Sequence, residues 1–306
     1  MAREMSEREV YDEVMASFGV ELARLLKTPG WSDLMINGDG SVWIDRSVME
    51  KVDCHYSDNG IVSAAQVLAA YSHKKINHEE SQSLVVIVPI LNLRAVFWLP
   101  PSVERVSAVF RRPSGKLMYP DDMVACGTMT RHQMDVMKEY VAEHKNIVLS
   151  GGTGSGKTTL MNTFLTMISD DERLFLIEDT PELIVSQPNV QKLTINEKYT
   201  YTQAIADTLR GRPTRIIVGE CRQGDQTMQM LKAWNTGHPG GLTTLHANSC
   251  LEAMARLEQL CGEVSVSSQK EMIKNSVDVI LQLKRLDGAT RKVVEMWDIR
   301  KEEYIE

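Results

Sequence analysis

The run Gly151-Gly152-Thr153-Gly154-Ser155-Gly156-Lys157-Thr158 has the spacing G-x-x-x-x-G-K-[ST], and the chemistry it could do is phosphate binding. Glycines after Gly151 let successive backbone N–H groups turn inward around a phosphate with no Cβ in the way. A helix opening at Lys157 adds the positive end of its dipole. Lys157 would reach the β- and γ-phosphates of a nucleotide, and the Thr158 hydroxyl would ligate Mg²⁺. The context agrees, because an apolar strand ends at Ser150 and a helical pattern follows.

Such a loop needs carboxylates to hold the metal and orient water, and two apolar runs end in acids. Ile216-Ile217-Val218-Gly219 leads to Glu220, a Walker-B-like arrangement, and Leu174-Phe175-Leu176-Ile177 leads to Glu178 and Asp179. In a parallel sheet both tips lie at the carboxyl edge, where open α/β sheets bind ligands. Asp179 and Glu182 read equally well as ordinary turn acids. A fourth stretch, Gly237-His238-Pro239-Gly240-Gly241 and then Leu242–Asn248, carries His246 at a strand end, where an imidazole could face the γ-phosphate. A lone histidine is more often a plain core or surface residue, so spacing alone leaves its role open.

The elements that must position these groups form two patterns. Val10, Val14, Leu22 and Leu25 recur at helical spacing until Pro29-Gly30. A hairpin around Asn37-Gly38-Asp39-Gly40, a helix over 61–71 and strands over 84–88, 94–99 and 103–111 follow. A helix and then runs of strands describe an α+β domain over 1–112. Pro and Gly interrupt every pattern in 113–128, which reads as a linker. Beyond it, over 129–306, helices and almost wholly apolar strands alternate, as a mainly parallel sheet covered on both faces requires. Asp287-Gly288 signals a closing hairpin.

The 306 residues suit two domains, and 43% hydrophobic content excludes a disordered chain. The net charge is −7, acidic on both sides of Arg112, which argues against a nucleic-acid-binding or membrane-surface module. The longest apolar run, Leu84 to Leu91, is too short to span a membrane, and the amino terminus lacks a secretion signal. The expected location is therefore cytoplasmic. Five cysteines without C-x-x-C spacing read as small buried hydrophobes rather than a zinc or disulfide set. Met134, Met137, Met228, Met230, Trp234 and Trp297 read as core.

Taken together, GGTGSGKTT, IEDTPEL, RIIVGECR and NTGHPGGLTTLHANS resemble the secretion ATPases of type IV secretion and conjugation systems, relatives of the pilus and type II secretion ATPases. MYPDDMVACGTMT, LKAWNTGHPGG and RLEQL are most similar to the TrbB-like conjugal-transfer branch. The resemblance implies an N-terminal α+β domain, a linker, and a RecA-like P-loop domain with a mainly parallel sheet, assembled as a hexameric ring. It implies ATP and Mg²⁺ as ligands, with ATP between the two domains. The nucleotide cradle would be Gly151, Gly152, Thr153, Gly154, Ser155, Gly156, Lys157, Thr158 and Thr159. Glu178 falls at the position of the general base, Glu220 at the Walker-B glutamate near the metal held with Thr158, and His246 at a γ-phosphate sensor. Arg94 and Arg111 fall where family arginines reach nucleotide phosphates, with Arg105 and Arg112 as near competitors. Arg210, Arg215 and Arg222 also align with family arginines, and salt bridges within the domain explain them nearly as well. Implied partners are inner-membrane and other ATPase components of the machine, which would hold the protein peripherally at the inner membrane. The sequence departs from the family at Leu91-Asn92-Leu93, Thr214, Gln223 and Asp225, none of which removes a phosphate or metal ligand. Three other readings are a nucleotide-gated docking scaffold, a pilus or type II secretion motor, and a DNA-translocating motor, the last disfavoured by the acidity.

Overall fold

The structure, a computed structural model, describes residues 5–46, 48–74, 76, 83–112, 117–196, 198–286 and 290–305. The chain divides into two compact units, Met1–Gly115 and Lys116–Glu306. Asp287-Gly288 and Pro113-Ser114-Gly115 lie outside the described residues.

The first unit runs α1 (Glu7–Lys27), β1 (Asp33–Ile36), β2 (Val42–Asp45), β3 (Met49–Val52), α2 (Asp58–Tyr71), β4 (Ser83–Val88), β5 (Leu93–Trp98) and β6 (Ser107–Arg111). A capping box starts α1: the Ser6 hydroxyl accepts from Glu9 N, and Ser6 N donates to Glu9 Oε2 at 2.8 Å. The helical spacing predicts one continuous helix, but Gly19 interrupts it at φ 78°, ψ 171°, leaving Val20 exposed. All six strands pair antiparallel in the order β3-β2-β1-β6-β5-β4. Leu34, Ile44, Ala95, Phe97 and Phe110 bury one face against Val14, Phe18 and Leu22 of α1. Phe110 meets Phe18 and Phe97 edge-on at 5.4 and 5.6 Å.

The second unit runs α3 (Pro120–Ala125), α4 (Arg131–Ala142), β7 (Ile147–Gly151), α5 (Lys157–Leu165), β8 (Leu174–Glu178), β9 (Val190–Thr194), α6 (Tyr201–Arg210), β10 (Arg215–Val218), α7 (Gly224–Asn235), β11 (Leu242–Leu245), α8 (Cys250–Gly262), α9 (Lys270–Ser276), β12 (Val279–Arg285), β13 (Arg291–Asp298) and β14 (Glu303–Tyr304). The sheet order is β14-β13-β12-β7-β11-β10-β8-β9, parallel from β12 to β9 with β13 and β14 antiparallel. Every residue of β7, β8, β10 and β11 is buried because cores lie on both faces. Along β7, Ile147 and Leu149 join one core with Met134, Met137 and Phe164, while Val148 joins the other with Met230, Trp234 and Leu257. Asn146 ties three strand starts together: its Oδ1 accepts from Gly241 N, its Nδ2 donates to Ser276 O, and its N donates to Asp278.

Three expectations change here. The stretch read as linker contains α3, whose Met123 is buried in the second unit's core, because Pro120 at the helix start and the Asp122 cap turn an apparent breaker into a helix start. Cys221, Cys250 and Cys261 are buried as expected, but Cys126, the residue that closes α3, is exposed, and Cys54 is half-buried against the edge of the first unit's core. Trp297 is half-buried, stacked edge-on with Tyr304 at 4.7 Å. Among the described residues no helix is long and apolar enough to cross a membrane.

Candidate nucleotide site

Strand β7 delivers the chain to Gly151, and the loop turns through Gly154 (φ 72°) and Gly156 (φ 95°) into α5. Gly156 is the residue before the helix, and its left-handed backbone would strain any side chain. Lys157 folds back over the loop, with Nζ donating to Gly151 O at 2.8 Å and Gly152 O at 3.0 Å. Burial pulls the Lys157 ammonium down to about 8, against the pull of the Glu220 charge. Gly152, Thr153 and Gly154 are exposed, Thr158 and Thr159 half-buried.

Three neighbouring strand ends face this loop from one side of β7. Glu178 ends β8 and is 5% exposed, and its Oε1 accepts from Glu182 N and Leu183 N, both at 2.9 Å. Burial pushes its carboxyl up to about 7 despite those two amides. A Cβ on Gly219 would stand 3.1 Å from Glu178 Cγ, so the two strand ends approach closely because that residue is glycine. Glu220 follows β10. Arg222 joins its Oε2 at 2.6 Å and reaches Asp179 Oδ2 at 2.9 Å. Burial raises the Glu220 carboxyl, but Arg222, His246 and Lys157 outweigh it and hold it below its ordinary value. His246, directly after β11, brings Nε2 within 3.0 Å of Glu220 Oε1. The pair falls outside hydrogen-bond geometry, and among the described residues Glu220 Oε1 is buried without a hydrogen-bond partner. Burial and Lys157 lower the His246 pKa against the pull of Glu220, which favours the neutral ring.

The donor set suits a magnesium nucleotide. Two buried acceptors at the loop, Ser155 Oγ and Glu220 Oε1, make no hydrogen bond among the described residues. Lysine, hydroxyl and carboxylate are the hard oxygen and ammonium groups such a ligand takes, and Thr158 with Glu220 could hold the metal.

Other residues singled out by the sequence sort differently. Arg94 and Arg111 belong to the first unit, directly opposite one another on β5 and β6, and Arg111 donates to Asp33 at 2.7 Å. Arg105 is bound to Asp58 at 2.7 Å, and Arg112 lies over Trp31 and donates to Leu26 O. Arg215 is fully buried and grips Glu172 through Nε and Nη2 at 2.6 and 2.7 Å. Arg210 pairs with Asp207 on the surface. Arg222 alone of these three stands at the carboxylates. Glu182 contributes its backbone N–H rather than its side chain. Sequence reasoning missed Arg285 and Arg291, which approach the loop from β12 and β13 because the sheet order puts β12 beside β7.

A parallel sheet with a lysine-bearing phosphate loop at its carboxyl edge, faced by two acids and a histidine, defines the class of P-loop ATPases. The chain belongs to the type II/IV secretion system protein family, whose model matches residues 43–304. It is 35% identical over 293 residues to the conjugal transfer protein TrbB of Rhizobium radiobacter, covering 92% of this chain and 87% of that one. It is 30% identical to the type IV secretion system protein VirB11 of Bartonella henselae, over 79% of this chain and 80% of the other. The fold is also that of the Legionella pneumophila ATPase DotB, with a TM-score of 0.64 at 18% identity over 92% of this chain and 79% of DotB.

Proposed function

We propose that this ATPase hydrolyses MgATP and uses the energy to drive conjugative type IV secretion, in pilus assembly or substrate transfer. The observation that carries the chemistry is Glu178: a buried carboxyl, fixed by two amides and poised at about 7, on the same carboxyl edge of the sheet as the lysine-bearing phosphate loop, three strands along. A general base works best when its pKa lies near the working pH, and Glu178 would take the proton of the attacking water. Lys157 exchanges its two loop carbonyls for phosphate oxygens, so its charge is available only once the ligand displaces them. His246 stands ready to bond a γ-phosphate oxygen, and Arg222 keeps Glu220 aligned through Asp179. Mg²⁺, held by Thr158 and Glu220, would supply the charge neutralisation that phosphoryl transfer needs.

Membership of the secretion family and the TrbB and VirB11 likeness support the machine. The same likeness supports a homo-hexameric ring, cytoplasmic, docked at the inner membrane through other components of the machine. Arg94 and Arg111 are proposed as further nucleotide-phosphate contacts. Purified protein should release phosphate from ATP, and Lys157→Ala should abolish it; an unchanged rate would refute the assignment. Particle mass with and without nucleotide tests the ring: a mass that stays monomeric with ATP present removes it.

A further inference from the structure

The hairpin formed by β12 and β13 carries cations directly opposite cations. Lys284 faces Lys292 and Arg285 faces Arg291 in the antiparallel register. The hairpin is also aimed. Leu283 is the last residue of β12 to pair with β7, opposite Gly151, and β12 continues for two residues beyond it. A bulge shifts the β12–β13 register between Gln282 and Leu283, at the level of the phosphate loop, and bulges re-aim the side chains that follow. Arg291 Nε donates to Gly154 O at 3.0 Å, and its Cδ lies 3.0 Å from where a Cβ on Gly156 would stand. Arg285 Nη1 lies 4.0 Å from the corresponding point on Gly154.

Sheet order tells which end of a nucleotide these arginines would meet. Glu178, Glu220 and His246 come from β8, β10 and β11, all on one side of β7, while β12 and β13 lie on the other. A γ-phosphate drawn toward the acids, the metal and His246 leaves the rest of the molecule to exit past Gly154 and Gly156, toward the hairpin. We propose that Arg285 and Arg291 form the nucleoside-side wall of the pocket and hold the α-phosphate and ribose of the bound nucleotide. This rests on the ATPase reading above and adds a binding role from outside its sequence motifs.

The test is titration calorimetry of the full chain in one Mg²⁺ buffer, with ADP and with inorganic phosphate, which fills the loop but carries neither the α-phosphate nor the ribose. Arg285→Ala and Arg291→Ala should each weaken ADP about tenfold, the worth of one charge-assisted contact, and change inorganic phosphate by less than about twofold. Equal losses for both ligands would overturn the proposal, because the arginines would then serve the loop or the general field. Unchanged ADP affinity would overturn it as well. Arg285 is exposed, so Arg285→Gln retains the fold should Arg291→Ala not, and its loss of ADP affinity reads the same way. Lys157→Ala should lose both ligands; if it binds ADP like the wild type, the phosphate-loop reading fails and this proposal with it.

Discussion

At the residue scale, two buried groups with displaced pKa values set the expected pH behaviour. Glu178 sits at about 7, so turnover should rise with pH through that value as the carboxyl loses its proton and can accept one from water. Glu178→Gln should keep ADP affinity while turnover falls by about a hundredfold or more; persistent turnover would remove Glu178 as the base. The same shift has a stability signature. The folded carboxyl binds its proton more tightly than the unfolded one, so its contribution is full below the unfolded value near 4.5 and is lost as pH rises through about 7. Glu178→Gln should therefore melt higher than the wild type at pH 8 and lose that advantage near pH 5. Lys157, lowered to about 8, gives the opposite limb: above pH 8 the empty site holds a neutral amine, and the phosphates must recharge it. ADP binding at pH 9 should take up a proton, measured as a dependence of calorimetric heat on buffer ionisation enthalpy, and clearly less at pH 7.5, where Lys157 already carries its charge. The lysine and both acids were legible in the sequence because phosphate chemistry demands those types at strand and helix ends. Arg222 was not settled there, since its partners Asp179 and Glu220 meet only when β8 and β10 pair.

At the element scale, the buried strands β7, β8 and β10 stood out because each is a mostly apolar run in a helix-strand alternation, while β11 carries Thr243 and Thr244 at its centre. The elements that escaped have weak patterns for a physical reason. Strand β9 lies at the sheet's edge with no fully buried residue, β3 is mostly exposed, and α9 buries little beyond Ile273 and Ser276. Helix α3 was hidden by the proline that begins it. Arg215 could have been a catalytic arginine from its motif, but its place at the start of β10 buries it against Glu172, with Nη2 also donating to Val141 O at 2.8 Å. This pair joins α4, the start of β8 and the start of β10. Arg215→Ala leaves Glu172 buried beside a half-exposed His144 alone, and should cost about 3–5 kcal/mol in urea unfolding at pH 7. Burial pushes the Glu172 carboxyl up, but Arg215 and His144 hold it below its ordinary value, so the wild type's advantage is present above about pH 4.5 and shrinks as pH falls further. A loss below about 1 kcal/mol would mean that the strand starts are held without the pair.

At the scale of the whole molecule, the chain carries separate cores in separate units, one in Met1–Gly115 and two flanking the sheet of Lys116–Glu306. Stability linked to ligand binding accrues to whatever must unfold to release the ligand. All the phosphate-loop groups belong to the second unit, whereas Arg94 and Arg111 belong to the first. Scanning calorimetry separates the possibilities. If the nucleotide is held by the second unit alone, ADP at about a hundred times its Kd adds about 2.7 kcal/mol to that unit's transition and leaves the other in place. If Arg94 and Arg111 also reach the phosphates, unfolding either unit releases ligand, and ADP moves both transitions upward toward each other. The second outcome is what the role proposed for Arg94 and Arg111 requires, and under it the double variant Arg94→Ala/Arg111→Ala should return the first unit's transition to its ligand-free temperature while the other stays raised. A first-unit transition indifferent to ADP in the wild type would confine the nucleotide to the second unit, and with it all the energy this site can pass to the rest of the chain.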